Sequence, residues 1–510
     1  MRAKLWIVVA GLLLSAVVAG ALFVAQQSSG RVHQRIVEAL SRGLDSAVTL
    51  DKVVVRLFPS PSITGQGLVI RHLGRHDIPP LIVVREFACH MSWSGFFDKH
   101  VDQVRLDGLE ITIPPGRGKE MPDVDSGGSS ESRSRVVIGR LLAHGARLTV
   151  LPRNPQKNPL VFDIFDLTMN QLGFDAPAPF KAALTNPIPF GTIETQGMFG
   201  PWSATEPRET PLSGDFTFSA DLGTIKGIAG ALSSTGRYAG TIERITTTGQ
   251  TETPDFRIPK LKAAAMPLST SYDAVVDGTN GDVELTRVDA RLGRSGLRAS
   301  GNVVGTKGIK GKRVLLKVTS NDARMEDILS LTVRSQPPAM IGQVQLEASL
   351  DLPQGDRDVI DKLRLDGRVS VKTARFTVDR IQDKVDDLSR RGRGRPEDES
   401  INDVASDLST KFHVENGLVR LTGLSYLVAG AAVALNGTYA LESGALDFQG
   451  EARLVASASQ TQTGVKRVLL TPFNFIFRKD GAGTVIGFNV TGTVDQPKVG
   501  VDLLRRRKAR

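Results

Sequence analysis

The chain holds one cysteine, Cys89, in 510 residues, so no intramolecular disulfide is possible. That scarcity does not exclude an oxidising compartment, because a chain this long builds a core without covalent clips. Within "REFACHMSW" the thiol reads as a small buried apolar group. Aromatic residues amount to only 5%. Grooves for single-stranded nucleic acid couple basic residues to stacking rings, and no such interleaving occurs here, so no nucleic-acid partner is expected. The motifs of common chemistry are missing too. There is no H-E-x-x-H and no G-x-S-x-G. The Gly–Lys pair of "GTKGIKGKR" (305–313) is followed by Arg313 rather than serine or threonine, which makes it a basic turn and not a phosphate loop. Carboxylates are numerous, but nothing selects a pair for acid–base work. The expectation is no enzyme, no metal and no cofactor.

One stretch tests that expectation directly. "DGTNGD" (277–282) resembles a cation loop at first sight. A loop of the EF-hand kind needs oxygen ligands at its first, third and fifth positions, glycine at the sixth and glutamate at the twelfth. From Asp277 those positions hold Thr279, Gly281, Asp282 and Val288. The ligand pattern fails, whereas Asp, Asn and Gly suit a tight turn between strands.

Charge is also unevenly placed. The net charge of +10 concentrates in "RRGRGR" (390–395) and the terminal "LLRRRKAR" (503–510). Such a tail either meets anionic lipid heads or keeps the chain end solvated. No charged residue lies between Lys4 and Arg31, and Leu5 to Ala25 is apolar or small throughout, long enough to cross a hydrocarbon core. Arg2 and Lys4 assign residues 1–4 to the cytoplasm and the bulk of the chain to the far side. The competing reading is a cleaved leader with Ala19–Ala21 at the cut. Both readings export the remainder.

Beyond the anchor, "SSGRVHQRIVEALSRGLDSAV" carries Val32, Ile36, Leu40 and Leu44 at helical spacing. The chain then becomes short alternating segments broken by Gly, Asn, Asp or Pro; 51 glycines and 26 prolines supply those breaks. In "GALDFQGEARLV" Leu446, Phe448, Ala452 and Leu454 share a face. Phe473, Phe475 and Phe477 do so in "PFNFIFRKDG", and Ile486, Phe488 and Val490 in "TVIGFNVTG". After "DGTNGD", Val283 and Leu285 point inward. The phase then slips near Arg287, and Val288, Ala290 and Leu292 take over, which predicts a bulge. One wet and one apolar face is the pattern of an antiparallel sheet covered on one side. Two stretches break it. "GRGKEMPDVDSGGSSESRS" (116–134) reads as a flexible insert. "DRIQDKVDDLS" and "INDVASDLS", around the charged loop 389–400, read as a helix–loop–helix over 379–410.

Taken in order, these pieces resemble the AsmA-like family of bacterial envelope proteins, relatives of bridge-like lipid-transfer proteins. The likeness is carried by "VTLDKVVVRLFPSPSITGQGLVI" (48–70), "PPLIVVREFACHMSWSGFF" (79–97), "GRYAGTIERITTTGQTETPDFRI", "LDGRVSVKTARFT", "HVENGLVRLTGLSYLVAGAAVALNGTYALESGALDFQGEARL" and "FNVTGTVDQPKVGVDLL". The insert 116–134 and the basic tail match nothing in the family. The resemblance implies a mainly β fold: a long curved antiparallel sheet forming an open apolar groove, with an N-terminal transmembrane helix and a few short helices. It divides the chain into an N-terminal β region (26–115), a central groove region (135–378), a C-terminal β region (411–503) and a tail (504–510). It also implies a single-pass protein of the bacterial inner membrane, with its bulk in the periplasm, that binds phospholipid and supports its movement toward the outer membrane. The groove-lining candidates are Val283, Leu285, Leu446, Phe448, Leu454, Phe473, Phe475, Phe477, Ile486, Phe488 and Val490. Roughly twenty-five to thirty strands at about 4.8 Å each would give at most about 120 to 145 Å of groove. Two other readings stand beside it: a non-conducting scaffold with a dry interior that works through envelope protein partners, and an exported hydrolase.

Overall fold

The computed structural model describes Val37 and residues 46–72, 76–98, 100–115, 137–173, 176–201, 207–332, 337–454, 485–494 and 496–502. The segment 5–25, the insert 116–134, Phe473, Phe475, Phe477 and the tail 504–510 lie outside them. Among the described residues no helix is long and apolar enough to cross a membrane.

Among the described residues twenty-four strands form one sheet. They are β1 (Ser46–Thr49), β2 (Lys52–Arg56), β3 (Ser62–His72), β4 (Ile82–His90), β5 (His100–Ile113), β6 (Val137–Val150), β7 (Leu160–Leu172) and β8 (Ala178–Pro187). Next come β9 (Phe190–Phe199), β10 (Pro211–Asp221), β11 (Ala231–Thr241), β12 (Ile245–Phe256), β13 (Met266–Asp277), β14 (Asp282–Leu292), β15 (Ser295–Val304) and β16 (Arg313–Arg324). The last are β17 (Met340–Leu352), β18 (Arg364–Phe376), β19 (Ser406–Glu415), β20 (Leu418–Val428), β21 (Ala431–Ala440), β22 (Ala445–Leu454), β23 (Val485–Thr493) and β24 (Pro497–Asp502). Among the described residues four α-helices accompany them: α1 (Trp93–Asp98), α2 (Met325–Thr332), α3 (Val359–Lys362) and α4 (Asp379–Gly392).

β1 and β2 pair with opposite ends of β3 and so make one broken edge strand. From β3 onward each strand pairs with the next in sequence. At about 4.8 Å per step the ladder of described strands extends roughly 105 Å.

The ladder is not wholly antiparallel, and here the sequence reading is corrected. β5 and β6 run parallel, with His100 opposite Val137 and Ile113 opposite Val150. A parallel pair needs a crossover rather than a hairpin. A second correction concerns residues 401–408. They do not form a helix: Asp403 adopts a positive φ of 49°, and β19 begins at Ser406. The buried Asp386 carboxylate of α4 accepts the N–H groups of Asp403 and Val404, each at 2.9 Å, and these bonds hold the segment open.

The alternation seen in the sequence is the two-faced strand. β9 alternates strictly between exposed and half-buried residues, and β12 nearly so. The sheet curls toward its half-buried face, forming a half-barrel. Bulges help it bend, and the bulge expected near Arg287 is present. Leu285 pairs with Ala274 while Arg287 pairs with Asp273, leaving Thr286 as the extra residue.

Burial divides this inner face. In β1–β8 it is a dry core: Ile63, Ile70, Cys89, Val101, Ile138 and Ala143 are at most 1% exposed. Each large apolar side chain so buried contributes about 1.5–3 kcal/mol. From β9 onward the inner residues are mostly half-buried, so solvent-sized space remains above them.

Candidate binding groove

The two long rims of the curled sheet differ. The near rim carries the β13–β14 turn; the far rim carries α2 and α4. In the turn, Asp277 accepts from the N–H and hydroxyl of Thr279 and from the amide of Asn280, at 2.6–2.8 Å. Gly281 takes φ +72°. The carboxylate that suggested a cation loop thus serves the turn itself.

Register places the predicted lining residues. Ala274, Leu285, Gly301 and Leu316 stand opposite one another on successive strands. The same rank continues through Leu350 and Leu365 to Tyr439 and Leu446. Leu285 and Leu446, distant in sequence, therefore share one row of the wall. A parallel row links Val288, Ala299, Val318 and Ala348, and runs on to Gly437, Phe448 and Val490. Val283 lies on a third row with Val303 and Val314. Phe488 faces Gly450 and is only 8% exposed. Ile486 pairs with Ala452 in the same phase. Leu454 behaves differently: it packs with Val428, Ala431 and Val385 of α4, under the helix rather than open to the groove.

Glycines shape the wall. A β-carbon on Gly236 would stand 2.8 Å from the Phe216 ring, one on Gly249 2.7 Å from the Tyr272 hydroxyl, and one on Gly367 2.7 Å from the Phe412 ring. Each ring lies across a glycine of the neighbouring strand and so stays against the wall.

Two features went unseen in the sequence. The first is a hydroxyl-bearing stretch on the inner face of β9–β13, with Thr195, Ser234, Tyr238, Thr247, Thr251 and Thr270. Thr195 Oγ1 lies 2.7 Å from the Tyr238 hydroxyl and 2.8 Å from the Asp215 carbonyl to which it donates. Thr251 and Thr270 hydroxyls meet at 2.7 Å. Burial raises the Tyr238 pKa, opposed by the Thr195 hydrogen bond. In "ITTTGQTETPDF" both faces of the strand are polar, so no apolar contrast marked the inner one.

The second feature is that the rims touch. Far-rim residues 151–159 reach near-rim turns between later strands: Gln156 accepts the Lys307 N–H at 2.7 Å, and Arg153 lies 3.1 Å from Glu243. Lys157 Nζ stands 2.5 Å from Asp282 and 2.7 Å from the Gly305 carbonyl. Lys312 joins this cluster, and burial lowers its pKa against the pull of Asp282. Further along, Lys226 on the far rim accepts the near-rim Val359 N–H at 3.0 Å. Lys260 lies 2.5 Å from Asp361 and 3.1 Å from Glu442. At the start of this seam the buried Arg208 donates to the carbonyls of Pro114 and Leu151.

A cavity of about 630 Å³ also spans β12–β16. Its walls include Thr251, Thr270 and Leu297, but also Asp289 and Arg298, which pair at 3.3 Å, so it is not part of the purely apolar lining. No group of three or more potential metal ligands occurs among the described residues. No family model, curated protein or solved structure matches the chain.

Proposed function

We propose that this chain binds phospholipid along the inner face of its curled sheet. In this reading it is an AsmA-like protein of the bacterial inner membrane, anchored by residues 5–25, with its bulk in the periplasm, supporting phospholipid movement toward the outer membrane. The observation that carries the reading is the pair of continuous rows that run through Leu285 to Leu446 and through Val288 to Phe448 and Val490. They set uncharged, mostly apolar side chains at every strand with space above them. An acyl chain needs such a lining over its whole length, because any exposed methylene costs about 0.8 kcal/mol relative to burial.

The occupant is a two-chain phospholipid rather than a protein strand. The ladder's backbone groups are already paired along the rows, so the wall offers contacts to hydrocarbon and not a free edge. The test is to purify the full chain in mild detergent with photoreactive residues at Phe448 and Val490, irradiate, and identify adducts by mass spectrometry. Phospholipid adducts are expected. Adducts to protein alone, with no lipid in the purified product, would reject the reading. The dry core of β1–β8 is the observation that favours the scaffold alternative, and it predicts that second outcome.

A further inference from the structure

An open groove lets a lipid keep its tails inside while its headgroup travels in water along the mouth. The rim contacts block that route over the middle of this protein. Between the β6–β7 connection and the turns of β11–β16 the mouth is crossed by the Lys307–Gln156 main-chain bond, the Arg153–Glu243 pair and the Lys157–Asp282 pair. The inner wall changes character over neighbouring strands. Thr195, Ser234, Tyr238, Thr247, Thr251 and Thr270 place hydroxyls on a face that elsewhere carries Val, Leu and Phe. Several of these hydroxyls donate to main-chain carbonyls: Ser234 to Gln250 at 2.9 Å and Thr247 to Arg237 at 3.0 Å. Their oxygens keep acceptor capacity, and the Thr251–Thr270 pair shares one proton between two oxygens, leaving the other proton to donate.

From these two observations we infer that the strapped section encloses the lipid whole. Its hydroxyls form an internal site for the polar part of a glycerophospholipid, the ester and headgroup atoms that cannot ride outside. The inference rests on the lipid-binding reading above and deepens it. The chemistry is suited to that class: hydroxyls offer both donors and acceptors, and Asp289 and Arg298, which share a cavity wall with Thr251 and Thr270, already pair with each other. The straps are structural closures in this account, not gates that each headgroup must open.

The test locks the straps. Gln156→Cys with Lys307→Cys lies across a direct main-chain hydrogen bond, which places the α-carbons within disulfide reach. Cys89 is fully buried and does not compete. The oxidised and reduced full chains are compared with vesicles containing phosphatidylethanolamine that carries a diazirine either on the headgroup or in the acyl chain. Locked and reduced proteins are expected to take up lipid to within twofold of each other, with headgroup adducts on β11–β13, at Ser234, Thr251 or Thr270. Thr251→Val with Thr270→Val keeps shape but removes hydroxyls, and should cut headgroup adducts there severalfold while sparing acyl adducts. The inference is overturned if locking abolishes uptake that reduction restores, or if headgroup adducts fall only on rim residues. Absence of any lipid adduct in the reduced protein would instead remove the lipid-binding reading, and this inference with it.

Discussion

The ring of Phe448 lies across Gly437 on the adjacent strand, so close that a β-carbon on the glycine would stand 2.5 Å from it and 2.2 Å from the Asp447 carbonyl. The pairing explains how a face carrying large rings can still leave space above itself. It also makes the glycine irreplaceable in its place. Gly437→Ala should destabilise the protein by about 1–3 kcal/mol through overpacking. A thermal melt with the midpoint unchanged would show that the wall relaxes instead.

The division between core and groove gives a sharper contrast. Ile138 is 0% exposed in the dry region, whereas Leu285 is half-buried on the long row. Ile138→Asp should abolish the cooperative unfolding transition, because a buried unpaired charge costs several kcal/mol. Leu285→Asp should leave a folded chain that retains less lipid. Circular dichroism melts and lipid extraction distinguish the two. Equal loss of fold in both variants would favour a packed interior throughout.

Position along the strand matters as well. A photoreactive residue at Leu454 should crosslink internally to α4, since Leu454 packs with Val385 beneath that helix. Lipid adducts at Leu454 equal to those at Val490 would mean that α4 swings away in solution.

Asp386 holds the segment after α4 by accepting two backbone N–H groups while only 4% exposed. Asp386→Ala would leave those donors unpaired, at a cost of about 1–3 kcal/mol for each one that water does not reach. Hydrogen exchange should quicken at Asp403 and Val404 first. Unaltered protection there would assign the segment's conformation to other contacts.

Cys89 offers a chemical check on the dry region. Burial pushes its thiol well above the usual range, so thiolate is scarce and access is nil. Ellman's reagent should find no thiol at neutral pH until denaturant unfolds β1–β8. Rapid native labelling would show that this core opens.

The near rim contributes a pH dependence. Arg313 meets Asp351 through two hydrogen bonds of 2.8 Å, and this contact lowers the Asp351 pKa. A depressed folded value means that the carboxylate stabilises the fold above the unfolded value, near 4. That contribution is lost as pH falls through the folded value. Asp351→Asn should therefore flatten the acid limb of stability below about pH 4, measured by denaturant midpoints across pH. An unaltered limb would place the dependence on other carboxylates.

By itself the sequence determined what is local. The turn at Asp277–Asp282, the slip at Thr286, the shared face of Leu446 and Phe448 and the helix at α4 all follow from spacing within a dozen residues. Side-chain period and turn chemistry are properties of the chain segment alone. Residues 401–408 misled because Ile401, Val404 and Leu408 have helical spacing, while the competing Asp386 carboxylate comes from another element.

What lies opposite a side chain was decided only by the tertiary structure. Ile138 and Leu285 both sit on strands, yet one is fully buried and the other half-buried. The difference is what the folded sheet brings opposite each, which sums twist and bulges over many strands. The parallel step at β5–β6 and the meeting of Gln156 with Lys307 across the mouth arise in the same way. Neither leaves a mark in any short stretch, because each is fixed by where distant strands arrive in space.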